Sequence, residues 1–163
     1  MIFENKTIYV DFDNTLCLFK QLPATEAIPT VTELDVPIKD DNALRNWARK
    51  YYKDCAFNSV LGCFLLQCKN NGCTVKVLTN EAWPFKAQAK KCWLQIYAPG
   101  LIDDVIRLSE GQIKADFIHS IEKDIKNVIL IDDKYSEQIK PALRLGIEAY
   151  TPQYIMLDAC DVK

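Results

Sequence analysis

The chain has 163 residues, 49% of them hydrophobic and 26% charged, with a formal net charge of −2 and a pI near 5.5. These values predict an ordinary globular protein, 1–163 forming a single domain with a sizeable core, and the mild acidity leaves no electrostatic footprint for nucleic acid. No charged-then-apolar leader precedes Asp11, and the longest apolar stretch, around Val60 to Leu66, is too short to cross a bilayer. A cytoplasmic location is therefore expected, although an unmarked export route would leave no trace.

In chain order, Thr7 to Val10 reads as a first buried strand, and Asp11-Phe12-Asp13-Asn14-Thr15 follows at its carboxyl end. Two carboxylates placed there must be bound to something, because ligands of open α/β sheets sit outside the carboxyl ends of the strands. From Cys17 to about Asp40 the chain carries Pro23, Pro29 and Pro37 among scattered Thr and Glu, which suits a hairpin or extended excursion. Asp41 to Asp54 then has the pattern of a short helix, capped by Asp41 or Asn42, with Leu44, Trp47, Ala48 and Tyr51 on one face. Residues 17–54 are thus expected to form a flap or miniature lid bordering the acidic strand end.

The remainder alternates. Helical spacing over Asn58 to Lys69, Pro84 to Ile96, Ile113 to Glu122 and Ser136 to Leu145 is interleaved with β-branched runs. Those runs, Thr74 to Leu78, Asp104 to Leu108, Asn127 to Ile131 and Ile147 to Tyr150, read as strands. The pattern predicts a three-layer, Rossmann-like α/β fold with a central, mostly parallel five-stranded sheet. Seven cysteines, an odd number with no Cys-x-x-Cys, predict reduced apolar residues and no zinc site or disulfide framework. His119 is the only histidine and reads as a helix-surface residue, which excludes multi-histidine metal chemistry. Lys86, Lys90 and Lys91 read as a solvated helix face.

Further polar groups fall where such a sheet would gather them: Thr79-Asn80 after one strand, Lys114 opening a helix after Gly111, and Asp132-Asp133 after Val128-Ile129-Leu130-Ile131. Each alone has a structural reading, as a helix cap, a surface lysine or a turn. Together with Asp11-Phe12-Asp13-Asn14-Thr15, and in this order, they resemble the four motifs of the haloacid dehalogenase superfamily of phosphohydrolases. The resemblance runs from Ile8 to about Tyr150. Lys123 and Lys126 lie near Lys114, but the spacing from Lys114 to the Asn127 strand is the one that resembles the family.

The residue types suit the chemistry this resemblance implies. A phosphate monoester repels nucleophiles by its charge, so hydrolysis needs a cation and positioned donors. The resemblance implies a Mg²⁺-dependent phosphatase in which Asp11 is the nucleophile that forms an aspartyl-phosphate and Asp13 is the general acid and base. Thr79, Asn80 and Lys114 would bind the phosphoryl group. Asp11, Asp13 through its main-chain carbonyl, Asp132 and Asp133 would form the metal site, either of the last pair being the direct ligand. Asp at position 13 favours phosphatase over dehalogenase, since carbon–halogen cleavage needs no acid on the leaving group. A Cys-x₅-Arg signature and a Gly-x-x-x-x-Gly-Lys loop are both missing from the sequence.

Thr79 to Lys114 has room for only a helix and a strand, so the chain resembles capless members of the superfamily, including magnesium-dependent phosphatases that accept phosphotyrosine. A phosphorylated substrate is the expected partner, protein-borne or small, with Phe12, Phe19, Trp47, Trp83 and Phe85 as candidates for an apolar wall. The runner-up is a nucleotidase, because Leu130-Ile131-Asp132-Asp133-Lys134 also resembles the fourth motif of the deoxyribonucleotidase branch. A catalytically idle domain that uses the fold to bind a partner is the alternative of another class.

Overall fold

The structure is a computed structural model that describes residues 2–19, 42, 46, 52, 55–81 and 84–160, with the side chains of 85 and 158–160 excepted. Strands β1 (Thr7–Val10), β4 (Thr74–Asn80), β5 (Asp104–Leu108), β6 (Val128–Ile131) and β7 (Glu148–Tyr150) form one sheet in the order β5-β4-β1-β6-β7. Every pairing in it is parallel. The expected α/β class and five-stranded sheet are therefore present, and the sheet is wholly parallel.

Strand alternation sorts the core into two layers. On one face Ile8, Val10, Val75, Val77, Ile129 and Ile131 pack beneath helices α1 (Ser59–Asn70), α2 (Pro84–Tyr97) and α5 (Pro152–Cys160). On the other, Tyr9, Leu78, Val128 and Leu130 meet α3 (Lys114–Ile121) and α4 (Lys140–Arg144). Because both faces are covered, β6 can be four consecutive buried apolar residues, as a central parallel strand requires.

Several boundaries differ by one residue from the sequence expectation, and two departures have a structural cause. The strand expected at Thr74 to Leu78 continues through Thr79 and Asn80, because Thr79 and Asn80 stand in register with Arg107 and Leu108 of β5. The helix expected from Ser136 opens as a π turn, Tyr135–Ile139, in which the Ile139 N–H reaches the Lys134 carbonyl five residues back.

After β1 the chain turns tightly. The Phe12 carbonyl accepts from the N–H groups of Leu16 and Cys17 at 3.1 and 2.8 Å, and Asn14 takes φ 55°, a left-handed value that Asn tolerates better than most residues. The excursion expected at Cys17 begins there as β2 (Cys17–Phe19), paired antiparallel with β3 (Cys55–Phe57) in a small second sheet. Of the helix expected over 41–54, Asn42 and Asn46 are helical and Tyr52 is buried. Leu44, Trp47, Ala48, Tyr51 and the three prolines of the excursion lie outside the described residues, as does Trp83.

Candidate active site

The chain order of the sheet fixes where chemistry can gather. From β1 the chain moves outward to β4 and β5, then returns to add β6 and β7 on the other side, so β1 stands at a reversal of strand order. The carboxyl ends of β4, β1 and β6 are therefore neighbours at a topological switch point. Asp11 prolongs β1, its N–H bonded to the Ile131 carbonyl at 2.8 Å, and Asp132 prolongs β6, its N–H bonded to Tyr150 at 3.1 Å.

Lys114 joins the two acids. It is the first residue of α3, where Ile113 provides no side-chain cap, and its backbone N–H is satisfied instead by Gln138 Oε1 at 2.9 Å. Its side chain is buried, with Nζ against Asp11 Oδ1 and 2.6 Å from Asp132 Oδ2. Asp132 Oδ1 accepts from the Lys134 N–H at 2.8 Å. Lys123 and Lys126 are exposed, so of the three lysines considered it is Lys114 that reaches the acids.

Asp11, Asp132 and Asp133 each offer a carboxylate oxygen, all within 4.8 Å of one another. Burial pushes the Asp11 carboxyl up to about 7; the charges of Asp132 and Asp13 add to this and Lys114 opposes it. Asp133 is also raised, first by burial and then by Asp132. Its Oδ1 is buried without a hydrogen-bond partner among the described residues. An orphaned anionic oxygen in an all-carboxylate group is the chemistry a hard divalent cation satisfies, so the residues fit Mg²⁺. The Asp13 carboxylate lies outside this group of three; its Oδ2 is bonded to Lys90.

Lys90 is the residue that reading the sequence missed. Expected on a solvated face, it is 0% exposed, and Nζ contacts Asp13 Oδ2, Thr79 Oγ1 at 2.8 Å and Glu81 Oε1. Burial works to lower its pKa, but Asp13 and Glu81 outweigh that and raise it, so the side chain is an ammonium. The signal was its phase on α2: Lys90 precedes Trp93 and Leu94 by three and four residues, which puts it on the core stripe. Lys91 is exposed as expected, and Lys86 lies 3.9 Å from Glu81.

The other expected site residues are placed as follows. Thr79 is buried at the end of β4 and faces Lys90. Asn80 points its amide at the carbonyls of Ser109 and Gln112, both at 2.9 Å, which braces the loop before Lys114. Phe12 is fully buried against Tyr52 and Trp93, and Phe19 packs on Tyr52, so both belong to the core beside the site. His119 is exposed, as expected. The six cysteines described form no disulfide with one another; Cys63 is exposed and Cys17, Cys68 and Cys73 are buried. Among the described residues, no helix is long and apolar enough to cross a membrane.

A cleft of about 740 Å³ is lined among others by Glu81, Lys86, Glu110, Lys134 and Gln138. Three of these contact residues of the site: Glu81 through Lys90, Gln138 through the Lys114 N–H, and Lys134 through its N–H to Asp132 Oδ1.

No family model matches the chain, and no curated protein matches it. Among solved structures, it is similar to an uncharacterized protein from Listeria monocytogenes serotype 4b, with TM-score 0.58 and 17% identity over 90% of this chain and 77% of that one. A protein provisionally named a phosphoglycolate phosphatase, from Lactobacillus delbrueckii subsp. bulgaricus, gives TM-score 0.45 and 13% identity over 63% of this chain and 46% of that one. The second likeness is too slight to carry an argument. The first shows that the fold, a parallel α/β sheet wound in both directions, is one found in a solved protein.

Proposed function

We propose that this chain is a phosphomonoester hydrolase of the haloacid dehalogenase type, with Asp11 as nucleophile and Mg²⁺ as cofactor. The observation that carries the reading is the convergence of Asp11, Asp13, Thr79, Lys114, Asp132 and Asp133 at the carboxyl ends of three adjacent strands. These residues are distant in sequence, and they supply each group that phosphoryl transfer through a carboxylate requires.

In this reading an Asp11 carboxylate oxygen bonds to phosphorus as the ester P–O bond breaks, and Asp13 gives its proton to the departing oxygen. Water then attacks the phosphorus of the aspartyl-phosphate, Asp13 takes the water proton, and the Asp11 carboxylate leaves with its electron pair. Lys114 neutralises Asp11 and Asp132 so that a phosphate anion can approach. Thr79 donates its hydroxyl to a phosphoryl oxygen. Asp11, Asp132 and Asp133 would hold Mg²⁺, with Asp13 contributing only its carbonyl. When bound, Mg²⁺ would supply charge neutralisation of the phosphoryl oxygens.

For the substrate, a protein-borne phosphate such as phosphotyrosine is the first candidate, supported by the two-stranded β2–β3 sheet beside a site that the second-to-third motif interval leaves without a cap. The charged cleft favours a second candidate, a nucleoside monophosphate, whose polar leaving group suits such walls better than an aryl ring does. The test offers the protein, with Mg²⁺, phosphotyrosine, phosphoserine and phosphothreonine peptides beside nucleoside monophosphates and sugar phosphates, with Asp11→Asn as control. Turnover lost in a folded Asp11→Asn supports the mechanism, and equal turnover in both forms refutes it. The preferred substrate decides between the two candidates, and partner binding without any turnover would mark an idle binding domain.

A further inference from the structure

The phosphatase reading uses Lys114 but leaves a second buried ammonium, Lys90, without a task. A lysine is almost never fully buried unless paired, and an apolar side chain would fill the same space at lower desolvation cost. Here the three donors of Nζ are matched by three acceptors, Asp13 Oδ2, Thr79 Oγ1 and Glu81 Oε1. The ammonium also lies 5.0 Å from the centroid of the Phe12 ring, and Phe12 is the residue between Asp11 and Asp13. Two of the three acceptors are the groups to which the reading assigns proton transfer and phosphoryl binding.

We propose that Lys90 is a positioning residue, held by Glu81, that fixes the Asp13 carboxylate and the Thr79 hydroxyl for catalysis; the proposal rests on the phosphatase reading. Its geometry has a directional consequence. Because Thr79 Oγ1 accepts from Nζ, the hydroxyl proton is left to point elsewhere and can be donated to a phosphoryl oxygen. Because Asp13 Oδ2 is tied to Nζ, the other carboxylate oxygen is left for the departing oxygen or the attacking water. Glu81 is itself anchored, its carbonyl accepting from Arg107 Nε at 3.0 Å. A fully bonded ammonium therefore links the end of β4 and helix α2 to the loop after β1.

The test is leaving-group dependence. An alkyl phosphate needs a proton on its leaving oxygen, whereas p-nitrophenyl phosphate departs as a stable phenolate without one. Lys90→Met removes the ammonium at similar length, and Lys90→Arg keeps the charge with a planar fork that cannot meet the same three acceptors. With folding checked by circular dichroism, both variants are expected to lose kcat on an alkyl phosphate by about 100-fold and on p-nitrophenyl phosphate by about tenfold or less, KM changing little. In the double variant with Asp13→Asn, Lys90→Met should add little further loss on the alkyl ester. Equal losses on both esters, unchanged rates, or fully additive losses with Asp13→Asn would overturn the assignment of Lys90 alone. A wild-type protein that hydrolyses neither ester would overturn the phosphatase reading, and this inference with it.

Discussion

Lys114 and Asp132, 18 residues apart in the chain, meet through a 2.6 Å contact buried at the carboxyl end of the sheet, and the same ammonium touches Asp11. This single cation faces two buried acids. Removing it leaves both carboxylates uncompensated. Lys114→Met is expected to cost about 3–5 kcal/mol of stability in the presence of a chelator, the usual penalty for breaking a buried pair. Added Mg²⁺ should recover part of that loss, because the ion would take over the neutralisation. Turnover should fall by about 10²–10³, the scale for removing one preorganised electrostatic group. Urea melts with and without Mg²⁺, beside steady-state rates, check both parts.

Asp133 Oδ1 is buried with no partner among the described residues, so in the metal-free protein this carboxylate is a liability. Asp133→Asn is therefore expected to be as stable as the wild type, or more so, in chelator. With saturating Mg²⁺ the order should reverse, since an ion present at 100 times its Kd stabilises the wild type by about 2.7 kcal/mol and would bind the variant more weakly. Thermal melts of the two proteins in chelator and in Mg²⁺ read this directly. An unchanged order would remove Asp133 from the metal site.

The fold was legible because short apolar runs rich in β-branched residues alternate with stretches of helical spacing, and the acids at their ends were legible because charge after a buried run is costly without a purpose. Lys90 was not legible as a site residue because lysine is read as solvated unless its phase is weighed against Trp93 and Leu94. Asn80 was misleading for a local reason: as the last residue of β4 it braces the neighbouring loop, and its amide is occupied by Ser109 and Gln112. The strand Cys55–Phe57 left no periodic signal, being three residues long and stabilised by its partner Cys17–Phe19.

Gly62 lies inside α1, where replacing Gly by Ala ordinarily stabilises by about 1 kcal/mol. At this position a Cβ would stand 2.5 Å from Phe57 Cε1, in the small sheet beside the site. Gly62→Ala is therefore expected to destabilise by about 1–3 kcal/mol as Phe57 is displaced from its packing near Trp93. Phe57→Leu should relieve the clash, making the double variant more stable than the two single losses predict. Urea denaturation of the four proteins measures the cycle, and a gain in the single Gly62→Ala variant would show that β3 yields freely.

Two carboxylates far from the site contribute to the acid limb of stability. Asp103 accepts from Lys69 Nζ and from the Val75 N–H at 2.8 Å; Glu148 accepts from Lys6 Nζ and from the Tyr150 hydroxyl, both at 2.6 Å. Partial burial works to raise both carboxyls, but these donors outweigh it, so they lie below their ordinary values of 3.8 and 4.5. A depressed folded value means that the unfolded chain binds the proton more readily. Their contribution is thus fully present above the unfolded values and is lost as pH falls from about 4.5 through the folded values. Asp103→Asn and Glu148→Gln should lower the melting temperature slightly at pH 7, and less at high salt, because both pairs are partly exposed. As the pH is lowered towards 3, the gap between each variant and the wild type should close. Taking that difference also cancels Asp11 and Asp133, whose raised carboxyls favour the folded state at low pH and withdraw that support as pH rises. A gap that stays constant from pH 7 to pH 3 would show that these contacts do not lower either carboxyl.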